Sequence, residues 1–243
     1  MSNPELRTPN PDVTSRDMPE LVDGAVRAYV ESLSFAEDDV LAEVRRRSQA
    51  DGVPALDGLT ARFLHQLAMA MRSQRILEIG TGYGCSGIHL ARALADDGVL
   101  FTFELSPERA AVARQHFGQA GLARRANVMV GDASRLVHKV AGPFDIIFQD
   151  GDKLAYEPML DRLVALLRPG GVLVTDNVLW SGDVVAGFPR RKPQHDPATI
   201  EAIAGYNRRL AAEPALVTTL LPIGDGVALS VKRSRTADEQ AHV

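Results

Sequence analysis

From Arg75 onward the chain alternates short apolar strands with helical segments, and nothing else in the sequence constrains the fold as much. "RILEIG" reads as a strand that runs into glycines, with "SGIHLARALA" as the helix behind it. The pairing repeats as "VLFTFE" then "SPERAAVARQHFGQAG", "ANVMVG" then "DASRLVHKV", "FDIIFQD" then "YEPMLDRLVALL", and "VLVTDN" then "DPATIEAIAGYNRRLAA". Strands separated by helices imply crossover connections, hence a parallel sheet with helices on both faces. The last two strands, "LVTTLLP" and "VALSVKR", are joined only around "IGDG". That is too short for a crossover, so they are expected to pair antiparallel. The expectation is an α/β, doubly wound, seven-stranded sheet, mostly parallel, with the last strand antiparallel. Local signals agree: Ser106 precedes Pro107 and Asp196 precedes Pro197, each a cap followed by a proline at the first helical position. "RPGG" reads as the turn that closes one helix.

Upstream lie two or three further helical segments, about 19–33, 37–50 and 57–71. The third carries Leu59, Phe63, Leu64, Leu67 and Met71 at helical spacing. Residues 1–18 read as a loosely attached tail by their Pro, Asn and Ser content. The rest is expected to be one domain: a helical part over 19–72, a core over 73–233 and a short tail over 234–243. A net charge of −4 gives no electrostatic reason for a polyanionic partner. Basic clusters stand at Arg45–Arg47 and Arg190–Lys192, the first on a helix, where a charge run is usually a solvated face. Cys85 is the only cysteine, so no internal disulfide forms and a reducing compartment is permitted. No apolar run approaches the roughly 20 residues that span a bilayer, and the N-terminus lacks the apolar core of a signal peptide, so a cytoplasmic location is expected.

Ligand sites in such sheets lie at the carboxyl ends of the strands. Those ends are chemically loaded. The first runs into "GTGYGCSG", the second ends at Glu104, the third at Gly131 and Asp132, the fourth at Asp150, the fifth at Asp176 and Asn177. Glycines between a strand and a helix let a ligand approach the backbone and leave amide N–H groups free. Alone that is a weak signal. An acid roughly 20 residues further on, such as Glu104, suits both ribose hydroxyls of a nucleotide cofactor. The glycine spacing does not separate NAD from S-adenosylmethionine, because Gly82 to Gly87 fits G-x-G-x-x-G.

Asp150 and the Asp176–Asn177 pair end strands that are expected to be neighbours. Two carboxylates and an amide oxygen, with no His or Cys close by, make a hard donor set suited to Mg²⁺, with Mn²⁺ or Ca²⁺ as alternatives. Three ligands leave room for water or substrate. Side by side, two such carboxylates repel unless a cation joins them. The competing reading is that both aspartates merely cap the elements that follow. His65, His89, His116 and His138 fall in helical segments without metal-ligand spacing.

"ILEIGTGYGCSGIHLAR", "FTFELSPER" and "GDA" resemble the cofactor motifs of the Rossmann-like, class I S-adenosylmethionine-dependent methyltransferases. "FQDGDKLAY" and "LLRPGGVLVTDNVLWSG" resemble the metal-dependent O-methyltransferases of the catechol and caffeoyl-CoA type, and the C-terminal "YNRRLAAEP…LPIGDGVALSVKR" resembles bacterial members. The resemblance covers about 53–233. It implies a cofactor site in which Glu78, Gly80 and Ser86 surround the methionine end, Thr81 and Gly82 belong to the same site, and Glu104 takes the ribose. Asp132 and Ala133 border the adenine, and Leu56, Leu105, Gly131, Asp150 and Tyr156 complete the site. It implies Asp150, Asp176 and Asn177 as metal ligands, Lys153 as general base, and Trp180 as a ring against a phenolic substrate; Asp152 has no ligand role and is expected to orient Lys153. Core packing is the plainer role for Trp180, and an ion pair with Asp152 or Asp150 the plainer role for Lys153. The implied reaction is methyl transfer to a hydroxyl of a small catechol-like aromatic, in a cytoplasmic homodimer. Some bacterial relatives of this kind act on a hydroxylated wobble uridine of tRNA, which would call for one positive surface joining Arg190–Lys192 to Arg45–Arg47. A cofactor-binding protein without catalysis and an NAD-dependent dehydrogenase are the other readings; the second gives the Asp176–Asn177 pair no use.

Overall fold

The structure is a computed structural model that describes residues 24–33, 37–185 and 195–234. The expected tail over 1–18, most of the C-terminal tail and the Arg190–Lys192 cluster lie outside the described residues.

Among the described residues three helices come first, α1 (Gly24–Ser32), α2 (Asp39–Ala50) and α3 (Gly58–Ala70). Then follow β1 (Arg75–Ile79), α4 (Cys85–Ala93), β2 (Val99–Glu104), α5 (Pro107–Gln119), β3 (Ala126–Val130) and α6 (Ala133–Leu136). The chain continues through β4 (Phe144–Gln149), α7 (Tyr156–Leu166), β5 (Leu167–Asp176), α8 (Pro197–Ala212), β6 (Leu216–Leu221) and β7 (Val227–Lys232). Capping fixes where several helices start. Asp38, Asp57, Ser106 and Asp196 each accept a backbone N–H of the first turn, from Leu41, Leu59 and Thr60, Arg109, and Thr199.

The seven strands form one sheet in the order β3-β2-β1-β4-β5-β7-β6, with β7 antiparallel to both its neighbours and the other pairs parallel. Strand side chains alternate between two cores. Ile76, Ile146 and Val174 pack on the face covered by α2 to α5, and Leu77, Ile147 and Leu173 on the face covered by α6 to α8. Two local expectations are corrected. "RPGG" is no closing turn but the first part of β5, whose pairing with β4 shifts register between Phe144 and Ile146. The "DASRLVHKV" helix shrinks to one turn, and His138 falls in the turn beyond it. Among the described residues no helix is long and apolar enough to cross a membrane.

Candidate active site

The chain leaves β1 toward β2 and β3 on one side and returns to β4 and β5 on the other. A crevice therefore opens between the carboxyl ends of β1 and β4. The loops there are stitched together: Asp150 N–H donates to Ile79 O at 2.9 Å, and Gly80 and Thr81 N–H both donate to Phe103 O at 3.1 Å. Gly80 has φ +101°, and a Cβ on it would stand 2.2 Å from Asp150 O, so only glycine permits this closeness. Above the junction lies a cavity of about 1100 Å³. That is room for a nucleotide-sized cofactor together with a small substrate.

Gly80, Thr81, Gly82, Ser86, Glu104 and Leu105 line the cavity, as do Gly131, Asp132, Ala133 and Leu56. Glu104 accepts Gly82 N–H at 2.9 Å on Oε2 and Ser106 N–H at 3.0 Å on Oε1. It thus joins the glycine loop to the start of α5, and it keeps lone pairs for a ligand. Asp132 caps α6, accepting Ser134 N–H at 2.8 Å. Two residues of the implied cofactor site stand behind the wall instead. Glu78 is fully buried, with Ser86 Oγ and Thr102 Oγ1 each donating to its carboxylate at 2.5 Å. Burial pushes its carboxyl up to about 7. Tyr156 is also fully buried, at the start of α7, and reaches the site only through its hydroxyl.

Asp150, Lys153, Asp176, Asn177 and Trp180 line the same cavity. Lys153 Nζ donates to Asp150 Oδ1 at 2.8 Å and to Tyr156 Oη at 2.9 Å. Tyr156 Oη lies in turn 3.2 Å from Asp176 O and 3.3 Å from Gln149 O, so it ties β4, β5 and Lys153 together. Asp152 does not orient Lys153. Its Oδ1 instead caps the short turn at 153–155, accepting Leu154 N–H at 3.1 Å. Asp176 is only 4% exposed, and its Oδ1 accepts Asn177 N–H at 2.8 Å. Burial, and then the charge of Asp150, push its carboxyl up to about 8. Burial likewise raises Asp150 against the opposing pull of Lys153.

This excess of negative charge suits a cation. Two carboxylates and the Asn177 amide oxygen fit a hard divalent ion by donor type. Among the described residues no three His, Cys, Asp or Glu side chains gather as a metal cluster, so the set depends on that amide.

The loop after β5 is strained. Asn177, Trp180 and Ser181 all have positive φ, 60°, 47° and 54°. Non-glycine residues rarely adopt such values, and those that do gather at functional sites. Trp180 stacks at 4.2 Å between ring centroids on His195, and His195 Nδ1 lies 2.9 Å from the Asp183 carboxylate. Lys153 Nζ lies 5.8 Å from the indole centroid. His195 and Asp225 stand in no motif that marks them in the sequence. Their only signals were a position beside the Asp196 cap and a place inside the "IGDG" turn. Arg45 binds Glu37 through two hydrogen bonds and donates to Leu56 O at 2.6 Å, and Arg46 pairs with Glu43 at 2.7 Å. Arg47 stands 3.6 Å from Asp51. This basic run is therefore balanced by acids and does not form a free positive surface.

A doubly wound sheet with a glycine loop, a strand-end acid and a deep crevice at its switch point defines a Rossmann-like enzyme built for a nucleotide-type cofactor. Comparison with known proteins narrows that class. A family model described as O-methyltransferase matches residues 31–233. A catechol O-methyltransferase of Niastella koreensis is 35% identical over 218 residues, which cover 85% of this chain and 96% of that protein. The crystal structure of a Bacillus cereus O-methyltransferase in complex with SAH superposes with a TM-score of 0.76 at 31% identity, covering 86% of this chain and 97% of that one. The Streptomyces achromogenes O-methyltransferase involved in tomaymycin synthesis, in complex with SAM, gives 0.75 at 31%, covering 86% and 96%. The chain belongs to the O-methyltransferase family. It is an enzyme of the S-adenosylmethionine-dependent class that the sequence resemblance implied.

Proposed function

We propose that this chain methylates one hydroxyl of a small catechol-like aromatic, with the cofactor in the glycine-loop end of the cavity and a divalent cation at its other end. The observation that carries the reading is the meeting of Asp150, Lys153, Asp176 and Asn177 on one cavity that Gly80–Gly82 and Glu104 also line. Bound S-adenosylmethionine would supply the methyl group, and Mg²⁺, with Mn²⁺ or Ca²⁺ as alternatives, would supply the Lewis acid that makes a substrate hydroxyl acidic.

The protein's own part is positioning and proton transfer. In its neutral form Lys153 has two N–H groups and one lone pair. The two hydrogens keep the bonds to Asp150 Oδ1 and Tyr156 Oη, and the lone pair takes the remaining direction to accept the hydroxyl proton at Nζ. Asp150, Asp176 and Asn177 would hold the cation, and Trp180, braced by His195, would bear on the substrate ring. Holding acceptor oxygen and methyl donor in near-attack geometry is the larger share of the rate enhancement. The relative of Niastella koreensis named for catechol supports this substrate class. A homodimer in the cytoplasm belongs to the same reading. Tyr29 at 65% and Leu33 at 69% exposure give α1 and its end an apolar surface that a second copy would cover, and sedimentation velocity decides it.

The test is methyl transfer from labelled cofactor to a panel of catechols and to bulk tRNA, after exhaustive chelation and with Mg²⁺ restored. Catechols should be methylated only with Mg²⁺. Full activity without metal would leave Asp150 and Asp176 as strand-end caps, and transfer to tRNA alone would replace the substrate class.

A further inference from the structure

The turn between β6 and β7 lies 48 residues from Asn177 in sequence but grips the loop that carries it. Val178 N–H donates to Gly226 O at 3.0 Å and Leu179 N–H to Asp225 O at 3.1 Å. The Asp225 side chain completes the grip. Its Oδ1 accepts Ser181 N–H, and its Oδ2 accepts Asn177 Nδ2 at 3.4 Å. Gly226, at φ +87°, lies so close that a Cβ on it would stand 2.5 Å from Leu179 Cγ. On the opposite side, a Cβ on Gly224 would stand 2.3 Å from Asp57 Oδ2, at the cap of α3. The turn is thus wedged between two walls of the cavity, and Asp225 is itself part of the lining.

An ionised carboxylate only accepts hydrogen bonds, whereas the two ends of an amide differ. Asp225 therefore selects the –NH₂ end of Asn177 and leaves Oδ1 as the atom free to meet a ligand. The contact to Ser181 fixes the same loop four residues on, within the strained stretch that presents Trp180. The geometry points to Asp225 as a positioning residue that sets the amide of Asn177 for a divalent cation and holds the Trp180 loop in register. This inference rests on the metal reading of the site. Nothing in the local sequence of β5 announces it, because the group that orients the amide comes from the far end of the chain.

The test is titration of Mg²⁺ into the full-length, SAH-saturated protein by calorimetry, for wild type, Asp225→Ala and Asp225→Asn. SAH affinity and the emission of Trp180, the only tryptophan, are measured on the same samples. Loss of a group that orients a metal ligand typically weakens the metal 10- to 100-fold. Asp225→Ala should weaken Mg²⁺ by about that factor, leave SAH affinity within about twofold and shift the Trp180 emission to the red. Asp225→Asn keeps one acceptor oxygen and should fall between the two. Wild-type Mg²⁺ binding that Asp225→Ala leaves intact would overturn the role of Asp225. Parallel loss of Mg²⁺ and SAH would reduce Asp225 to a folding role. A wild type that binds SAH but no Mg²⁺ would instead remove the metal reading on which the inference stands.

Discussion

Replacing Glu104 by Ala should damage cofactor affinity and stability together, and the structure gives the size of each effect. The carboxylate accepts Gly82 N–H at 2.9 Å and Ser106 N–H at 3.0 Å, so the substitution leaves two backbone donors unpaired. An unpaired donor costs about 1–3 kcal/mol. Both residues are partly exposed, and water reaches them, so the low end of about 1 kcal/mol each applies. The sum, about 2 kcal/mol, corresponds to a fall in Tm of about 4–8 °C for a chain of this size. Affinity falls separately. A hydrogen bond to a charged acceptor is worth about 1.5–3 kcal/mol, so losing one ribose contact should weaken SAH roughly 10- to 150-fold. Glu104→Gln keeps one acceptor oxygen and should lose less of both. The assay is calorimetric titration with SAH beside a thermal melt of the two variants. An Ala variant that melts several degrees lower yet binds SAH like wild type would show that Glu104 only ties the glycine loop to α5. The ribose assignment would then be wrong.

Lys153→Ala should cut turnover about 100-fold or more, as loss of a positioned base typically does, with SAH affinity unchanged. Near wild-type turnover at neutral pH, measured with labelled cofactor, would pass the proton to another group. His195→Ala removes the ring stacked on Trp180, and an aromatic pair is worth about 0.5–1.5 kcal/mol, so substrate KM should rise about 2- to 13-fold while SAH affinity holds. An unchanged KM would detach Trp180 from the substrate. His89 is held down to about 4 by burial, so the folded protein keeps it neutral where the unfolded chain takes up a proton. Its contribution is complete above pH 6.5 and is lost as pH falls from there toward 4, at up to about 1.4 kcal/mol per unit. His89→Gln should flatten the stability slope over that window in urea melts, and identical slopes would contradict the shift.

What the amino-acid sequence determines here is what local chemistry can express. Strand and helix periods follow from adjacent side chains, and caps such as Ser106 and Asp196 act within one turn. The acids at the strand ends are legible because a parallel sheet brings its carboxyl ends to one edge whatever the detailed packing. The order of the strands follows less directly, but parallel pairing of β4 with β5 sets Asp150 beside Asp176 as the alternation suggested. Side-chain partners were decided elsewhere. Lys153 chooses Asp150 and Tyr156 over Asp152, because Asp152 is engaged as the cap of the short turn at 153–155. Glu78 sits at a strand end that reads as a ligand site, yet it shares the face of Ile76 and ends fully buried against Ser86 and Thr102. Arg45 looks like part of a basic run until Glu37 neutralises it and the Leu56 carbonyl accepts one of its hydrogen bonds. Asp225 and His195 gain their meaning only from neighbours 48 and 15 residues away, Asn177 and Trp180. A sequence records which groups a chain owns and how they repeat. Which of them share a hydrogen bond depends on loops and turns meeting in space, and only the folded packing of the β6–β7 turn against the loop after β5 decides that.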